Sequence, residues 1–330
     1  MEKSIPLPET LVEAVRYFSD EDRAHEFVVG LRWPNGVCCP RCGSVDVQYV
    51  STRKVWKCKD CTEKKQFSVR VGTIFEDSKL PLGTWMIATW KIVNAKNGCS
   101  SYELHRDLGI TQKSAWHLSH RIRRALEVAS FDRKLCGEIE ADESFIGGRA
   151  RNMHPGKRKV KGSGTVGKAV VMGVLERHGE VRTSVLPGTK RGHVQGEVRK
   201  HVETGATVYT DALKSYNGLS DNYFHQVIDH AECYVNGRIS TNGLENFWSL
   251  FKRCIHGTWI GIEPFHLHRY LAEQTWRFNQ RKKDDGERFL TAIGGLENGP
   301  LPYKRLIGEL AHPELHSTTT DTKDGGVGNA

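Results

Sequence analysis

The sequence predicts an α/β protein: a β-rich stretch bracketed by helical ones, with a small metal-stapled module ahead of it. Three observations predict this. Between residues 138 and 211 the chain carries short apolar or alternating segments, "GEIEADESF", "KAVVMGVLE", "EVRTSVLP" and "ATVYTD", which is the period-two text of strands. Residues 80–130 and 241–282 place their apolar side chains at helical spacing instead. Two Cys-x-x-Cys pairs lie ahead of all this, at Cys39–Cys42 and Cys58–Cys61.

At 330 residues the chain is long enough for two or three units, and at 38% hydrophobic it can bury a real core. No apolar run approaches membrane-spanning length, and no basic-then-apolar leader opens the chain, so a soluble, cytoplasmic protein is expected. The net charge of +9, with a pI of about 9.1, favours an anionic partner. Nine cysteines are an odd set, better suited to a metal site and free thiols than to a disulfide framework.

The elements follow in chain order. Residues 1–35 form an N-terminal helical segment in which residues 8–31 read as two short helices, with Ser19 and Asp22 resembling a capping box at the second. Residues 36–79 form a zinc ribbon. Each Cys-x-x-Cys turn lets two thiolates meet one ion, and the fifteen residues between Cys42 and Cys58 are about one hairpin long. Buried thiols or a redox pair are the competing reading, and Cys38 is a spare neighbour. So small a module buries little core, so the metal supplies much of its folding energy.

Residues 80–130 contain a helix ending at Gly109 and a second starting near Thr111, with Ala115, Leu118, Ile122 and Ala125 on its apolar side. Helix, glycine turn, helix is the pattern of a DNA-reading unit. Its exposed face is expected to offer Gln112, Lys113, His117 and Arg121 to base edges and phosphates. A plain helical hairpin with a solvated basic face is the alternative.

Residues 131–285 carry the acids. Asp142 is expected at the end of one strand and Asp211 at the end of another, with Glu245 on the amphipathic helix of "STNGLENFWSLFKRCIHGTW". Alone, such residues are turn caps or solvated charges. Together they suit Mg²⁺ or Mn²⁺, hard cations that take carboxylate oxygens, and a pair of such ions supports phosphodiester chemistry. Lys252 follows Glu245 by two helical turns, on the same face, within reach of a phosphate. Glu138 and Glu140 share the face of Asp142, with Glu143 beside it; these read as supporting or solvated, Glu140 being the reserve ligand. The run from Arg149 to Lys168 contains no acid; Arg149, Arg151, Lys157, Arg158, Lys159 and Lys161 are expected on a mobile loop against DNA backbone. His225, His230 and Cys233 lack a fourth ligand of matching spacing. His256 is a candidate proton carrier, Phe247 and Trp248 are core anchors, and Arg277 and Arg281 face either DNA or the protein. Residues 286–330 form a C-terminal extension, expected to be disordered after about 312.

On these residues the chain resembles the DDE transposases of bacterial insertion sequences, specifically the IS-fifteen-ninety-five group with its ISXO-two-like transposase domain. "RWPNGVCCPRCGS" and "WKCKDC" resemble its zinc ribbon, and "ELHRDLGITQKSAWHLSHRIR" its helix-turn-helix. "EADESFIGGR", "VYTDALKSY" and "TNGLENFWSLFKRCIHGTW" resemble its three acidic motifs. The resemblance covers roughly residues 10–285. It implies a ribonuclease-H-like fold, a five-stranded mixed sheet flanked by helices. It implies Asp142, Asp211 and Glu245 as the metal-binding triad, with Lys252 following the third acid. Some relatives carry Asn at that third position, and a His where this chain has Ser240. The resemblance further implies double-stranded DNA as partner, both the element's terminal inverted repeats and the target, with a homodimer or larger synaptic assembly in the bacterial nucleoid. A non-catalytic DNA-binding regulator, or another nuclease of the same fold such as a resolvase, is the alternative.

Overall fold

The computed structural model describes residues 7–127, 133–148, 165, 167–228 and 240–310. Arg149, Arg151, Lys157, Arg158, Lys159, Lys161, His230, Cys233 and the tail beyond 310 lie outside the described residues.

The first helices are α1 (Leu11–Phe18) and α2 (Glu21–Arg32). Asp20, not Ser19, caps α2: its carboxylate accepts from the backbone N–H groups of Asp22 and Arg23. Ser19 instead turns back to donate to the Val15 carbonyl at the end of α1. A simple Asp20 cap therefore replaces the expected capping box, because an Asp side chain reaches the free N–H groups of the first turn directly. Strands β1 (Val47–Val50), β2 (Val55–Cys58) and β3 (Gln66–Phe67) form the antiparallel ribbon. Helix α3 (Leu82–Asn94) follows. Then α4 (Ser101–Leu108) ends on Gly109 at φ +63°, the left-handed conformation that costs glycine least. Thr111 caps α5 (Gln112–Leu126) through the Ser114 N–H, as the helix, turn, helix reading expects.

The second sheet is built from β4 (Glu138–Ile146), β5 (Ala169–Glu176), β6 (Val181–Leu186), β7 (Thr207–Asp211) and β8 (Phe224–Ile228) in the order β6-β5-β4-β7-β8. β5 is antiparallel to both β4 and β6, while β4, β7 and β8 run parallel. This is the five-stranded mixed sheet of a ribonuclease-H-like fold. Helix α6 (Arg191–His201) packs on one face, around Val194 and Val198. Helices α7 (Asn242–Cys254) and α8 (Leu267–Asn279) pack on the other, around Leu244, Phe247, Phe251 and Leu271. The described residues end with α9 (Asp285–Gly294) and α10 (Tyr303–Leu306). Phe289, Ala292, Ile293 and Leu296 from this last stretch share a core with α1–α5 and the ribbon, so the C-terminal segment closes the N-terminal unit. Among the described residues no helix is long and apolar enough to cross a membrane.

Candidate metal centres and nucleic-acid interface

The ribbon brings Cys39, Cys42, Cys58 and Cys61 together. Sulfur–sulfur distances are 3.7 Å for Cys39–Cys61, 3.6 Å for Cys42–Cys58 and 3.4 Å for Cys42–Cys61. A tetrahedral zinc ion with Zn–S bonds of about 2.3 Å needs sulfurs about 3.8 Å apart, so the four thiols fit zinc and are too far apart for disulfides. Burial opposes ionisation of Cys39, yet backbone N–H groups at Arg41 and Cys42 bring its thiol down to about 7. Cys38 stands outside the group. Trp56 and Phe67 seat the ribbon against Trp33, and Trp56 stacks on His25 of α2. This is a structural zinc-ribbon site.

The acids gather at a break in the second sheet. β7 stops at Asp211, two residues beyond the last registered pair, Glu140 with Tyr209. That sets Asp142 level with Asp211, although β4 itself runs on to Ile146; Asp142 is at the end of the parallel pairing rather than of its strand. Oxygens of Asp142, Asp211 and Glu143 lie within 4.8 Å of one another. Burial and the Asp211 charge push Asp142 up to about 7, with Glu245 adding to the rise. Burial pushes Glu143 up to about 8, against a lowering by Tyr216 and with further raising by Asp211 and Asp142. Crowded, half-buried carboxylates resisting ionisation are what a divalent cation relieves, so the oxygen donors present suit Mg²⁺ or Mn²⁺. Glu143 is the member that alternation hides, because its chain neighbour Asp142 should face the other way.

Glu245 sits on the first turn of α7, exposed, close enough to raise Asp142 but outside the three-acid group. Two features fix its helix. Gly173 of β5 lets α7 approach: a Cβ there would meet Leu244 at 2.8 Å and Trp248 at 3.0 Å. Glu140, 3% exposed, accepts from the Leu244 N–H at 3.0 Å and from Arg177 at 3.1 Å. Arg177 also donates to the Ser240 carbonyl and lies over the Tyr209 ring. Glu140 therefore holds the start of α7 rather than serving as a reserve ligand. Glu138 accepts from the Tyr209 hydroxyl. Trp248 and Phe247 are core residues, as expected, and the Trp248 side chain borders Asp142. Lys252 is exposed, two turns along α7; His256 is exposed on the Ile255–Trp259 turn, outside the acid group.

The expected DNA-reading face of α5 is corrected at two positions. Arg121 is 5% exposed; its guanidinium donates to the Glu76 carbonyl and lies over Trp85. His117 contacts the Leu301 carbonyl at 3.0 Å and faces Tyr303. The segment after α9 covers that side of the helix, a long-range contact no local pattern announces. Gln112 is half-buried and donates to Ser101. Lys113 stays exposed, over Tyr303. Elsewhere, a cavity of about 890 Å³ opens between the end of α3 and α7–α8, with Lys96, Arg177, Arg277, Arg281 and Arg288 around a floor that includes Phe278 and Leu250.

Comparison with known proteins agrees with this geometry. Residues 134–279 match the ISXO2-like transposase domain, and residues 19–64 match the transposase zinc-ribbon domain. An uncharacterized protein in the transposable element ISH50 of Halobacterium salinarum is 27% identical over 298 residues, covering 84% of this chain and 98% of that protein. An uncharacterized transposase-like protein of Haemophilus influenzae is 34% identical over 101 residues, covering 30% of this chain and 81% of that protein. Among solved structures, a chain of the Mos1 strand transfer complex aligns over 64% of this chain and 74% of that one, at 13% identity and a TM-score of 0.27, too low to bear on the fold. The ribbon cysteines thus fall within the second match, the mixed sheet and its acid cluster within the first, and the chain belongs to the ISXO2-like transposase family.

Proposed function

We propose that this protein binds the terminal inverted repeats of an insertion sequence, cuts a DNA strand there and joins the freed 3′ end to target DNA. One observation carries the reading: Asp142 and Asp211 come from adjacent parallel strands to a single crowded point. Asp142, Asp211 and Glu245 would hold two Mg²⁺ or Mn²⁺ ions, which, when bound, favour the attacking oxygen and stabilise the leaving one in phosphodiester chemistry. The protein's own contribution is positional. Glu140 and Arg177 hold the start of α7, so Glu245 is held near the sheet edge. Lys252, on the same helix, is placed to neutralise a bound phosphate, and the helix-turn-helix presents Lys113 and Gln112 to the duplex. The basic cavity wall with Arg277 and Arg281, and the segment carrying Arg149, Arg151, Lys157, Arg158, Lys159 and Lys161, extend the surface for DNA backbone. Domain limits of 36–79 for the ribbon, 80–130 for the DNA reader and 131–285 for the catalytic unit follow, with a dimer or larger assembly holding two ends in the cytoplasm, on the nucleoid.

The test uses purified protein and a labelled duplex carrying the element's own end, with Mg²⁺ or Mn²⁺. Wild type is expected to nick at the end and join strands, while Asp142→Asn, Asp211→Asn and Glu245→Gln bind the end but leave it uncut. Cutting by the variants at the wild-type rate would overturn the site assignment. Tight binding without cutting by any protein, wild type included, would instead favour a DNA-binding regulator.

A further inference from the structure

Resting on the reading of this centre as a divalent-cation site, we propose that Glu143 is a direct metal ligand there, and that Tyr216 is the positioning residue that holds its carboxylate. An unbroken sheet would keep Glu143 on the face opposite Asp142. Here the registered β4–β7 pairing ends at Glu140 with Tyr209, and residues 141–146 pair with β5 alone. Past that point β4 has no registered partner on its β7 side, and a Glu143 oxygen lies within 4.8 Å of oxygens of Asp142 and Asp211.

A second observation comes from Tyr216. Tyr216 is 1% exposed, in the apolar core on the α6 side of the sheet. Neither its hydroxyl nor Glu143 Oε1 has a well-formed hydrogen bond among the described residues, although Tyr216 lies close enough to Glu143, Asp142 and Asp211 for all three to act on it. Buried polar atoms of this kind are rare unless a ligand or a small shift completes them. The turn that carries Tyr216 is fixed on both sides: Gln195, 1% exposed, donates to the carbonyls of Ser215 at 2.9 Å and Asn217 at 2.8 Å. On the strand side of the same turn, the Leu213 N–H donates to Asp211 at 3.1 Å. The hydroxyl is thus presented from a rigid support, the arrangement by which an outer residue orients a metal-binding carboxylate. Glu143 would offer one oxygen to the ion and accept the Tyr216 proton donor at the other.

Manganese binding reads this without reference to cleavage. Zinc-loaded full-length protein is titrated with Mn²⁺, the free ion being followed by electron paramagnetic resonance, for wild type, Glu143→Gln, Tyr216→Phe, Asp142→Asn and Asp211→Asn. Loss of an outer-shell partner costs metal sites on the order of 10–100-fold in affinity. Glu143→Gln is expected to lose at least about tenfold, and Tyr216→Phe a measurable part of that at unchanged melting temperature. Should Glu143→Gln misfold, Glu143→Asp, which keeps the charge but shortens the arm, is expected to weaken binding in the same direction. Wild-type affinity in the Glu143 and Tyr216 variants, with binding lost in Asp142→Asn and Asp211→Asn, overturns the proposal alone. Wild-type affinity in all of them overturns the metal reading of the whole centre.

Discussion

Asp142 and Glu143 are chain neighbours whose carboxylates meet at one point, an exception to strand alternation that falls beyond the last β4–β7 pair. Alternation alone marks Glu143 as solvated or supporting, so its place was illegible without the neighbouring strand. Glu140 shows the converse: a residue on the right face whose carboxylate is already taken by the Leu244 N–H and Arg177. Glycine matters at this scale too. Gly173 faces α7 across a gap that a methyl group would overfill. Gly173→Ala is expected to cost about 1–3 kcal/mol, the range for overpacking a tight core. It should also lower metal-dependent cleavage beyond the loss of folded protein, because the displaced element carries Glu245. Urea unfolding measured beside nicking rate at full occupancy of the folded state separates the two effects; equal stability and equal rate would remove Gly173 from the account.

At the scale of elements, α5 and α8 join the α4–α5 hairpin to the unit built on the mixed sheet. Arg123 of α5 and Glu273 of α8 form a fully buried ion pair, and Arg277 also pairs with Glu273. Around it His120 packs against Trp116, His266 and Tyr270. Burial, then the charges of Arg123, His266, Arg269 and His268, hold His120 far below the ordinary histidine range. Burial, then Arg269 and Arg123, bring His266 down to about 4. Both rings are therefore neutral in the folded protein at a pH where the unfolded chain has begun to protonate, near 6.5. The unfolded state binds more protons between pH 6.5 and 4, so stability is fully present above 6.5 and falls as pH drops through that window. His266→Gln is expected to flatten this slope in urea midpoints taken from pH 7 to 4.5. A slope identical to wild type would mean the ring carries no such linkage.

At the scale of the whole molecule, the described residues form one core spanning ribbon, N-terminal helices, hairpin and α9, and one more on each face of the mixed sheet. The four-cysteine zinc-ribbon site adjoins the first, to which Cys39 and Cys58 belong. Chelation is expected to release one zinc per chain and expose Cys39, Cys42, Cys58 and Cys61 to a thiol reagent. It should also shift tryptophan emission to the red, because Trp56 and Trp33 lose their packing. Retention of metal-free ribbon structure, seen as unchanged emission after zinc release, would show that the aromatic contacts suffice without the ion.

Local chemistry determined much of this protein from its sequence. Four cysteines at Cys-x-x-Cys spacing form a metal site wherever the hairpin between them closes, and Gly109 with Thr111 ends one helix and starts the next through bonds a few residues long. The motif order was enough to indicate the family and the strands carrying Asp142 and Asp211. Other elements carry weak local signals: α6 contains Gly192 and Gly196, and β8 is five residues with a largely exposed pattern. What only the tertiary structure decided depends on groups far apart in the chain. Leu301 and Tyr303 cover His117, Glu76 and Trp85 take Arg121, α9 returns to the first core, and Glu143 joins the acid centre beside the end of β7. Periodicity reports which side of an element is apolar; it carries no record of which distant segment arrives to cover the polar side.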